Sequence, residues 1–304
     1  MFMSEHIDRN MAKLASYIKE VDMRFAERLE TAYRTVSKMD SCRIVRLSGP
    51  TCSGKTTAAE MLMRKFARDG KRAITVSIDD FFYDTDILLK LSKDRGTNEI
   101  DYDSVDTIDL AELGRFIEEI FVSDEVHCPI FDFSCGKRTG YRVFKIGSDD
   151  VFIFEGIQAV YPEVSDLLRE HLSVGLFIAP LSPILTEFHT FDPNEIRLLR
   201  RLVRDHNFRN TPASFTFELW DGVRKNEEKS IFPYVDTCEC LIDSTLQYEI
   251  GVLRPYLEGI LSPIIENNDS PWRSSALKII ESVSGVAPIP SALVPADSLY
   301  KEFV

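Results

Sequence analysis

Residues 48–57 hold the side chains most able to do chemistry in this chain. Gly49–Thr56 reads G-x-x-x-x-G-K-T, a pattern whose glycines let the backbone wrap around phosphate oxygens with its amide N–H groups pointing inward. Lys55 can reach the outer phosphates of a nucleotide, and the Thr56 hydroxyl can bind Mg²⁺. We therefore predict a nucleoside-triphosphate site. Its phosphate-binding residues are Gly49, Pro50, Thr51, Cys52, Ser53, Gly54, Lys55, Thr56 and Thr57.

The segments on either side of this loop support the prediction. The apolar run Ile44–Leu47 precedes the loop and is typical of a buried strand. Apolar residues at helix spacing follow it, and Gly70 stands where that helix should end. A strand, a loop and a helix in this order are the context that the motif requires, and they direct the positive end of the helix dipole at the anion. The alternative is a glycine-rich helix entry that binds nothing.

Carboxylates follow two further apolar runs. Asp79 and Asp80 come after the run that ends at Ile78, and Glu155 comes directly after Val151–Phe154. Because the carboxyl ends of parallel strands meet at one edge of a sheet, these side chains should lie near the phosphate loop. One aspartate could accept a proton from a substrate hydroxyl or hold Mg²⁺, and Glu155 has the layout of a Walker B carboxylate. The alternative for the aspartate pair is a helix cap or a turn.

A third group of charged residues falls on one face of a predicted helix. These arginines, at i, i+3, i+4 and i+7 with one more just beyond, are Arg197, Arg200, Arg201, Arg204 and Arg209. Like charges at this spacing repel one another, so in an acidic chain the cluster predicts an anionic partner, most simply the bound triphosphate. The alternative is a solvated face that pairs with acids such as Glu195 and Asp205.

Composition narrows the class of protein. The net charge of −13 over 304 residues argues against broad binding to nucleic acid or to an anionic membrane. The chain starts without the pattern of a signal peptide, and no stretch is apolar enough for a membrane span. Six cysteines without disulfide-framework spacing indicate reduced thiols, and the pair Cys238 and Cys240 lacks further zinc ligands. We expect a cytoplasmic protein.

The order of apolar runs predicts an α/β fold. The central sheet should be parallel, with about five strands and helices on both faces, and two short runs between Val126 and Ile146 should form a β-hairpin outside it. Residues 1–40 are expected to form an amphipathic helical segment, residues 41–262 the main domain, and residues 263–304 an extension packed on that domain. The first helix packs on the domain, contacts a second copy or is the stump of a linker, which leaves a homo-oligomer open.

Two classes of phosphate-loop protein can be set aside from the sequence. A GTPase would need an Asn-Lys-x-Asp element, and a transport ATPase would need a Ser-Gly-Gly signature; neither occurs. A small-molecule kinase needs a base near the γ-phosphate, a carboxylate for the metal and a lid helix bearing arginines. The chain has a candidate for each of these parts.

Taken together, the motifs resemble the uridine kinase and phosphoribulokinase group of P-loop kinases. They occur in the order of that family, at residues 49–56, 77–82, 102–106, 129–138, 151–157 and 197–205. The chain is most similar to a bacterial uridine-kinase-like subgroup, with matching residues also at 228–233 and 298–303. Members of that subgroup often carry an N-terminal module resembling part of threonyl-tRNA synthetase, which we expect to be missing here.

The resemblance implies roles for the charged residues. Lys55 and Thr56 would bind phosphates and Mg²⁺, Asp79 would be the general base for a 5′-hydroxyl, and Glu155 would support Mg²⁺ through water. The metal-binding residues would therefore be Thr56, Asp79 and Glu155, and the catalytic residues would be Asp79, Lys55, Arg204 and Arg209. The substrate would be bound by Asp79, Asp103, Phe131, Arg138 and Arg201.

Three positions depart from the family's pattern. Gly136 stands where uridine kinases have a histidine, Phe131 where they have a tyrosine, and Thr211 where they have another lid arginine. The first two positions face the base in that family, so the departures should change base selection. The implied activity is transfer of the γ-phosphoryl group of ATP to the 5′-hydroxyl of a uridine- or cytidine-like nucleoside. The alternatives are a kinase for another small alcohol or a phosphosugar, and a nucleotide-sensing protein with low turnover.

Overall fold

A parallel sheet forms the centre of the molecule. The computed structural model of the chain describes residues 2–94, 96 and 100–304, with side chains described from residue 10 onward. Within those residues the strands are β1 (Ile44–Ser48), β2 (Ala73–Ser77), β3 (Glu125–Asp132), β4 (Lys137–Lys145), β5 (Val151–Glu155), β6 (Ser173–Ala179), β7 (Ile184–Leu185), β8 (Thr190–Phe191) and β9 (Cys240–Asp243). Five of them form the central sheet in the order β2-β5-β1-β6-β9, all parallel. The predicted α/β fold with a five-stranded parallel sheet is confirmed.

Helices cover both faces of this sheet. In chain order they are α1 (Phe2–Ser37), α2 (Lys55–Arg68), α3 (Thr85–Asp94), α4 (Leu110–Val122), α5 (Pro162–Arg169), α6 (Pro193–Arg209), α7 (Ala213–Ser230), α8 (Glu249–Glu266) and α9 (Arg273–Ser284). Alternate residues of β5 belong to two different cores. Ile153 lies in the core that contains residues of α1, α2, α6 and α8. Phe152 and Phe154 lie in the core that contains residues of α4 and α5. Because both faces are buried, the inner strand β5 is a continuous apolar run as far as Phe154. None of the described helices is long and apolar enough to cross a membrane.

The register of the sheet brings three strand ends together. Glu155, the last residue of β5, is paired with Leu47 on β1 and with Ser77 on β2. The phosphate loop follows β1 and the aspartates follow β2, so both segments leave the sheet beside Glu155. This is the edge at which the sequence predicts the chemistry to lie.

Helix α1 packs on the chain's own domain. Its buried residues recur at helix spacing and include Val21, Phe25, Leu29 and Ala32, all within the larger of the two cores. The Arg28 Nη1 atom donates to the carbonyl oxygen of Asp243, the last residue of β9, at 2.8 Å. The expected packing of this helix on its own domain is observed. The expectations for residue 1 and for the side chains of residues 2–9 fall outside the described part of the chain.

The predicted hairpin is present outside the main sheet. Strands β3 and β4 form a separate antiparallel pair, and a shift in their register occurs between Ile130 and Phe131. The hairpin packs against α4 and against a short 3₁₀ turn, Ile78–Phe81, that follows β2. The hairpin is therefore placed next to the aspartates at the end of β2.

The residues after 262 are more ordered than their composition suggests. Helix α9 packs on α8, and two short 3₁₀ turns follow it, at Ser291–Leu293 and Leu299–Glu302. Leu299 and Phe303 are buried in the same core as α2 and α6. The sequence contains few signals for these elements because α9 buries only Ala276 and Val283 of its residues.

Candidate active site

The phosphate loop has the strained backbone that its glycines permit. Gly54, the residue before α2, has φ +95°, and a Cβ atom at Gly49 would lie 2.0 Å from the carbonyl oxygen of Ile178. Cys52, which is not a glycine, also has a positive φ of 57°. Residues with side chains rarely adopt this region, so the loop stores strain that the surrounding contacts must offset.

Lys55 folds back over the loop that it belongs to. Its Nζ atom donates to the carbonyl oxygens of Gly49 at 2.8 Å and of Pro50 at 3.1 Å. Burial lowers the pKa of Lys55, while the charges of Glu155, Glu302 and Asp79 act in the opposite direction. The Lys55 ammonium is therefore positioned at a site that would favour an anion. Thr56, beside it, is exposed at the first turn of α2.

Asp79 and Glu155 lie together at the edge of the sheet. Burial raises the pKa of Glu155 to about 6, with Lys55 lowering it and the Asp79 charge raising it further. Burial also raises the pKa of Asp79, against the effects of a hydrogen bond from Gln158 and the charge of Lys55. Two carboxylates and one ammonium from three separate strand ends thus act on one another. This grouping matches the arrangement predicted from the sequence.

Gln158 is a residue near this site that the sequence analysis did not select. Its Nε2 atom donates to Asp79 Oδ1 at 3.2 Å, and its side chain is only 1% exposed. Its Oε1 atom is buried and finds no hydrogen-bond partner among the described residues. A polar residue three positions after the tip of an apolar strand is the signal that could have identified it.

The two neighbouring aspartates have different surroundings. Asp80 accepts a hydrogen bond from the Phe131 backbone amide at 3.2 Å and forms an ion pair with Arg142 of β4. It therefore attaches the hairpin to the turn after β2, whereas Asp79 accepts a hydrogen bond from Gln158 and its pKa responds to the charge of Lys55. The apolar run alone places both at the end of the same strand, and it was the family resemblance that selected Asp79.

The arginines of α6 separate into two groups. Arg197 is 1% exposed and bonds to Glu227 through its Nη2 at 2.7 Å, while its Nη1 donates to the Thr51 carbonyl oxygen at 3.3 Å. Arg200 is fully buried, and its Nη1 donates to the Cys52 carbonyl oxygen at 3.2 Å. The expectation that these two neutralise a bound triphosphate is wrong, because buried carboxylates already pair with them. They hold the backbone of the phosphate loop instead.

The other three arginines of the cluster gather around Asp205. Its carboxylate lies 3.2 Å from Arg201 Nε, 2.9 Å from Arg204 Nη2 and 3.6 Å from Arg209 Nη1. Three guanidinium groups around one buried carboxylate leave an excess of positive charge there. The Arg209 charge acts on the pKa of Asp79, although burial is the largest effect on that group. The positive charge of this group therefore acts on a carboxylate at the edge of the sheet.

A cleft lies on the hairpin side of the site. Its volume is about 410 Å³, and its lining residues are Thr85, Tyr102, Phe131, Phe133, Ser134, Cys135 and Gly136. The rings of Phe131 and Phe133 meet edge to face at 5.0 Å, and Phe82 packs against both. An aromatic wall of this kind suits a flat ring.

The residues predicted to select the acceptor occupy different positions around this cleft. Gly136 has φ +64°, and a Cβ atom there would lie 2.1 Å from the Thr85 hydroxyl oxygen, so Thr85 occupies the space of a side chain. Arg138 donates to the carbonyl oxygens of Phe81 and Phe82, both at 2.9 Å, and so connects the hairpin to the turn after β2. Its role toward a substrate stays a prediction.

Asp103 lies near the positive group on α6. Burial raises its pKa to about 6, Asp101 raises it further and Arg201 lowers it. Its carbonyl oxygen accepts a hydrogen bond from the Tyr161 hydroxyl at 2.8 Å. A partly desolvated carboxylate in this position can accept hydrogen bonds from hydroxyl groups of a ligand. This role also stays a prediction.

The fold and this site define a P-loop kinase domain: a parallel sheet, a G-x-x-x-x-G-K-T loop between β1 and α2, and a carboxylate at the tip of β5. Residues 44–250 match the model of the Phosphoribulokinase / Uridine kinase family. The chain therefore belongs to that family, whose members are phosphotransferases.

Curated relatives carry related names. A uridine kinase of Mycoplasma genitalium is 30% identical over 164 residues, which cover 53% of this chain and 66% of that protein. Uridine-cytidine kinase B of Dictyostelium discoideum is 27% identical over 195 residues, covering 64% of this chain and 68% of that protein. Uridine kinase-like protein 3 of Arabidopsis thaliana is 24% identical over 163 residues, covering 53% of this chain and 30% of that protein. The chain thus spans less than two thirds of the length of some of these relatives.

A solved structure of a possible uridine kinase from Bacillus stearothermophilus is also similar. It is 15% identical, with a TM-score of 0.47, over 72% of this chain and 100% of that chain.

Proposed function

We propose that the protein is an ATP-dependent kinase that transfers the γ-phosphoryl group to the 5′-hydroxyl of a nucleoside, with a uridine- or cytidine-like acceptor. The observation that carries this proposal is the grouping of Lys55, Asp79 and Glu155, which act on one another electrostatically where three strand ends meet. The names of the relatives support the nucleoside as acceptor.

The phosphate loop supplies the donor side. Its amide groups and the N-terminus of α2 favour the triphosphate, and Lys55 exchanges its two carbonyl partners for phosphate oxygens. Arg204 and Arg209 neutralise charge that develops on the transferred group. Arg197 and Arg200 contribute by holding the loop backbone in place.

The oxygen donors at the sheet edge fit Mg²⁺. Thr56 offers a hydroxyl, and Asp79 and Glu155 offer carboxylates, which are the ligand types that this hard cation prefers. The described residues contain no group of three or more His, Cys, Asp or Glu side chains that could hold a metal ion alone. That agrees with a magnesium site that one or two carboxylates share with substrate phosphates. When bound, Mg²⁺ offsets the negative charge of the phosphates.

Asp79 acts as the general base. Burial raises its pKa, which strengthens it as a proton acceptor, while Lys55 and Gln158 favour the ionised form that must be present before the transfer. The carboxylate takes the proton of the acceptor hydroxyl as that oxygen attacks the γ-phosphorus. Asp103 and Arg201 would bind the sugar, and Phe131 would contact the base in the cleft.

The test is a panel of nucleosides incubated with Mg-ATP, with the products identified by mass spectrometry. We expect a nucleoside monophosphate, and Asp79→Asn should lower turnover by about 10²- to 10⁴-fold while ATP still binds. Asp124→Asn, a matched change at an exposed aspartate before β3, is the control and should leave turnover unchanged.

Three results would contradict the proposal. A phosphorylated product with the mass of a different alcohol phosphate or of a sugar bisphosphate would show that the acceptor is not a nucleoside. ATP binding without turnover in the wild-type protein would instead favour a nucleotide sensor. Unchanged turnover in Asp79→Asn would remove this residue as the base.

A further inference from the structure

The segment Ser298–Val304 lies against the phosphate loop, more than 240 residues later in the chain. Leu299, Tyr300 and Phe303 are 1%, 0% and 0% exposed. The Ser298 hydroxyl accepts a hydrogen bond from the Tyr300 backbone amide at 3.2 Å and bonds to Asp22 Oδ1 at 2.8 Å. We call residues 298–304 the returning segment. Its burial shows that it is held in the core of the domain.

Two of its residues touch the loop and the first turn of α2. A Cβ atom on Gly54 would lie 2.4 Å from Leu299 Cδ1, so the leucine side chain fills the space beside this glycine. The Thr57 hydroxyl donates to Glu302 Oε2 at 3.1 Å. Gly54 and Thr57 both belong to the stretch predicted to bind the phosphates.

A third residue acts on the loop through α6. The Phe303 ring lies 5.0 Å from the guanidinium carbon of Arg200, whose Nη1 donates to the Cys52 carbonyl oxygen at 3.2 Å. The Phe303 carbonyl oxygen accepts from Asn207 Nδ2 at 3.3 Å. The returning segment therefore supports the loop directly at Gly54 and indirectly at Cys52, where the backbone has a positive φ.

We propose that the returning segment is part of the nucleotide-binding site, with Glu302 as a positioning residue that holds the first turn of α2 in place through the hydrogen bond it accepts from the Thr57 hydroxyl. This inference rests on the proposed function, because it presupposes that residues 49–57 bind ATP.

The alternative interpretation is that the returning segment is a plug, which blocks the nucleotide site until ATP displaces it. Displacement would expose Tyr300 and Phe303, which are fully buried, and would remove the aromatic partner of Arg200. Each binding event would have to offset the exposure of both rings. The packing therefore favours a returning segment that stays in place as part of the nucleotide-binding site.

Two substitutions at one position separate the hydrogen bond from the charge. Glu302→Ala removes the acceptor for Thr57 and should raise the KM for ATP by about three- to tenfold, as expected for one hydrogen bond, with kcat changed less than about twofold. Glu302→Gln keeps an oxygen that accepts from Thr57 and should leave the KM at or below the wild-type value. Glu281→Ala, at an exposed glutamate of α9, is the matched control and should have no effect.

Leu299→Ala tests the second contact. We expect weaker ATP binding in calorimetry and faster hydrogen exchange at the loop amides in the nucleotide-free protein, because the space beside Gly54 is then empty. Folding of each variant is checked by its circular dichroism and unfolding curve.

The outcomes separate the two proposals. Absence of ATP binding in the wild-type protein would overturn the proposed function and this inference with it. ATP binding that is unchanged in Glu302→Ala and Leu299→Ala would overturn this inference alone. Tighter ATP binding or higher turnover in Glu302→Ala would overturn it in favour of a displaceable plug.

Discussion

Arg200 and Glu249 form a fully buried ion pair between α6 and the first turn of α8. Both side chains are 0% exposed, with Arg200 Nε 2.6 Å from Glu249 Oε2 and Nη2 2.9 Å from Oε1. The remaining guanidinium nitrogen donates to the Cys52 carbonyl oxygen in the phosphate loop. A bidentate pair of this kind fixes the planar guanidinium group in one orientation. The loop therefore depends on a contact made far from it in the sequence.

Removing the carboxylate of this pair should destabilise the whole domain. Glu249→Ala leaves Arg200 charged, buried and unpaired, and we expect a loss of about 3–5 kcal/mol in the free energy of unfolding. The measurement is urea denaturation. The matched control is Glu258→Ala, which removes the half-exposed partner of Arg254 on the same helix and should cost less than about 1 kcal/mol. A double variant, Arg200→Met with Glu249→Leu, should recover part of the loss; equal losses in the single and double variants would contradict this explanation.

Lys55→Met should weaken nucleotide binding without weakening the fold. Burial lowers the pKa of Lys55, which means that the folded state disfavours its charge, so an apolar replacement removes that cost. We expect ATP affinity to fall at least about tenfold, from the loss of charged hydrogen bonds to phosphates. The melting temperature without nucleotide should stay equal or rise. Calorimetry with ATP measures the affinity, and thermal unfolding measures the melting temperature. A large drop in melting temperature would show that Lys55 has a structural role instead.

Asp103→Asn should stabilise the protein in a pH-dependent way. Burial raises the pKa of Asp103 to about 6 from its ordinary value of 3.8. Between these values the folded state holds a proton that the unfolded chain has released. Below about pH 4 the wild-type carboxyl makes its full contribution to the stability of the folded state. That contribution is lost as the pH rises through about 6.

The measurement for Asp103→Asn is the free energy of unfolding at pH 4 and at pH 7.5. At the higher pH the variant should be more stable than the wild type by roughly 1–2 kcal/mol, discounted for partial exposure. The difference should shrink toward pH 4. A difference of the same size at both pH values would show that the asparagine acts through something other than charge.

Gly136→Ala should be destabilising where Gly140→Ala is not. The new Cβ atom at 136 meets the Thr85 hydroxyl and sits on a backbone with φ +64°, whereas a Cβ atom at 140 has nothing within 4 Å. We expect a loss of about 1–3 kcal/mol for the first and less than about 0.5 kcal/mol for the second. Urea denaturation checks both. Because Gly136 lines the cleft, the first variant should also raise the KM for the acceptor, and equal stabilities of the two variants would contradict the strain argument.

Much of the site follows from residues that are close together in the chain. The G-x-x-x-x-G-K-T pattern requires one backbone path, and an apolar run followed by a carboxylate predicts the tip of a buried parallel strand. The sequence therefore predicted the phosphate loop, the sheet and the approach of Asp79 and Glu155 to Lys55. It did not predict α9 or the contact between Glu302 and Thr57, because few side chains of those segments are buried at a regular spacing.

The sequence by itself determined which chemical groups are present and the order in which the strands deliver them, because local spacing encodes local backbone structure. The spacing of the residues did not distinguish the members of each repeated set; the family resemblance implied a choice, and the tertiary structure supplies the contacts that separate them. Arg197 and Arg201 are the same residue type one helical turn apart, yet Arg197 pairs with Glu227, 30 residues later, and Arg201 lies beside Asp205. Asp79 and Asp80 separate in the same way, since Asp79 accepts a hydrogen bond from Gln158 and Asp80 pairs with Arg142. The partner of Arg197 comes from another helix, and the spacing of the arginines along α6 does not specify that partner.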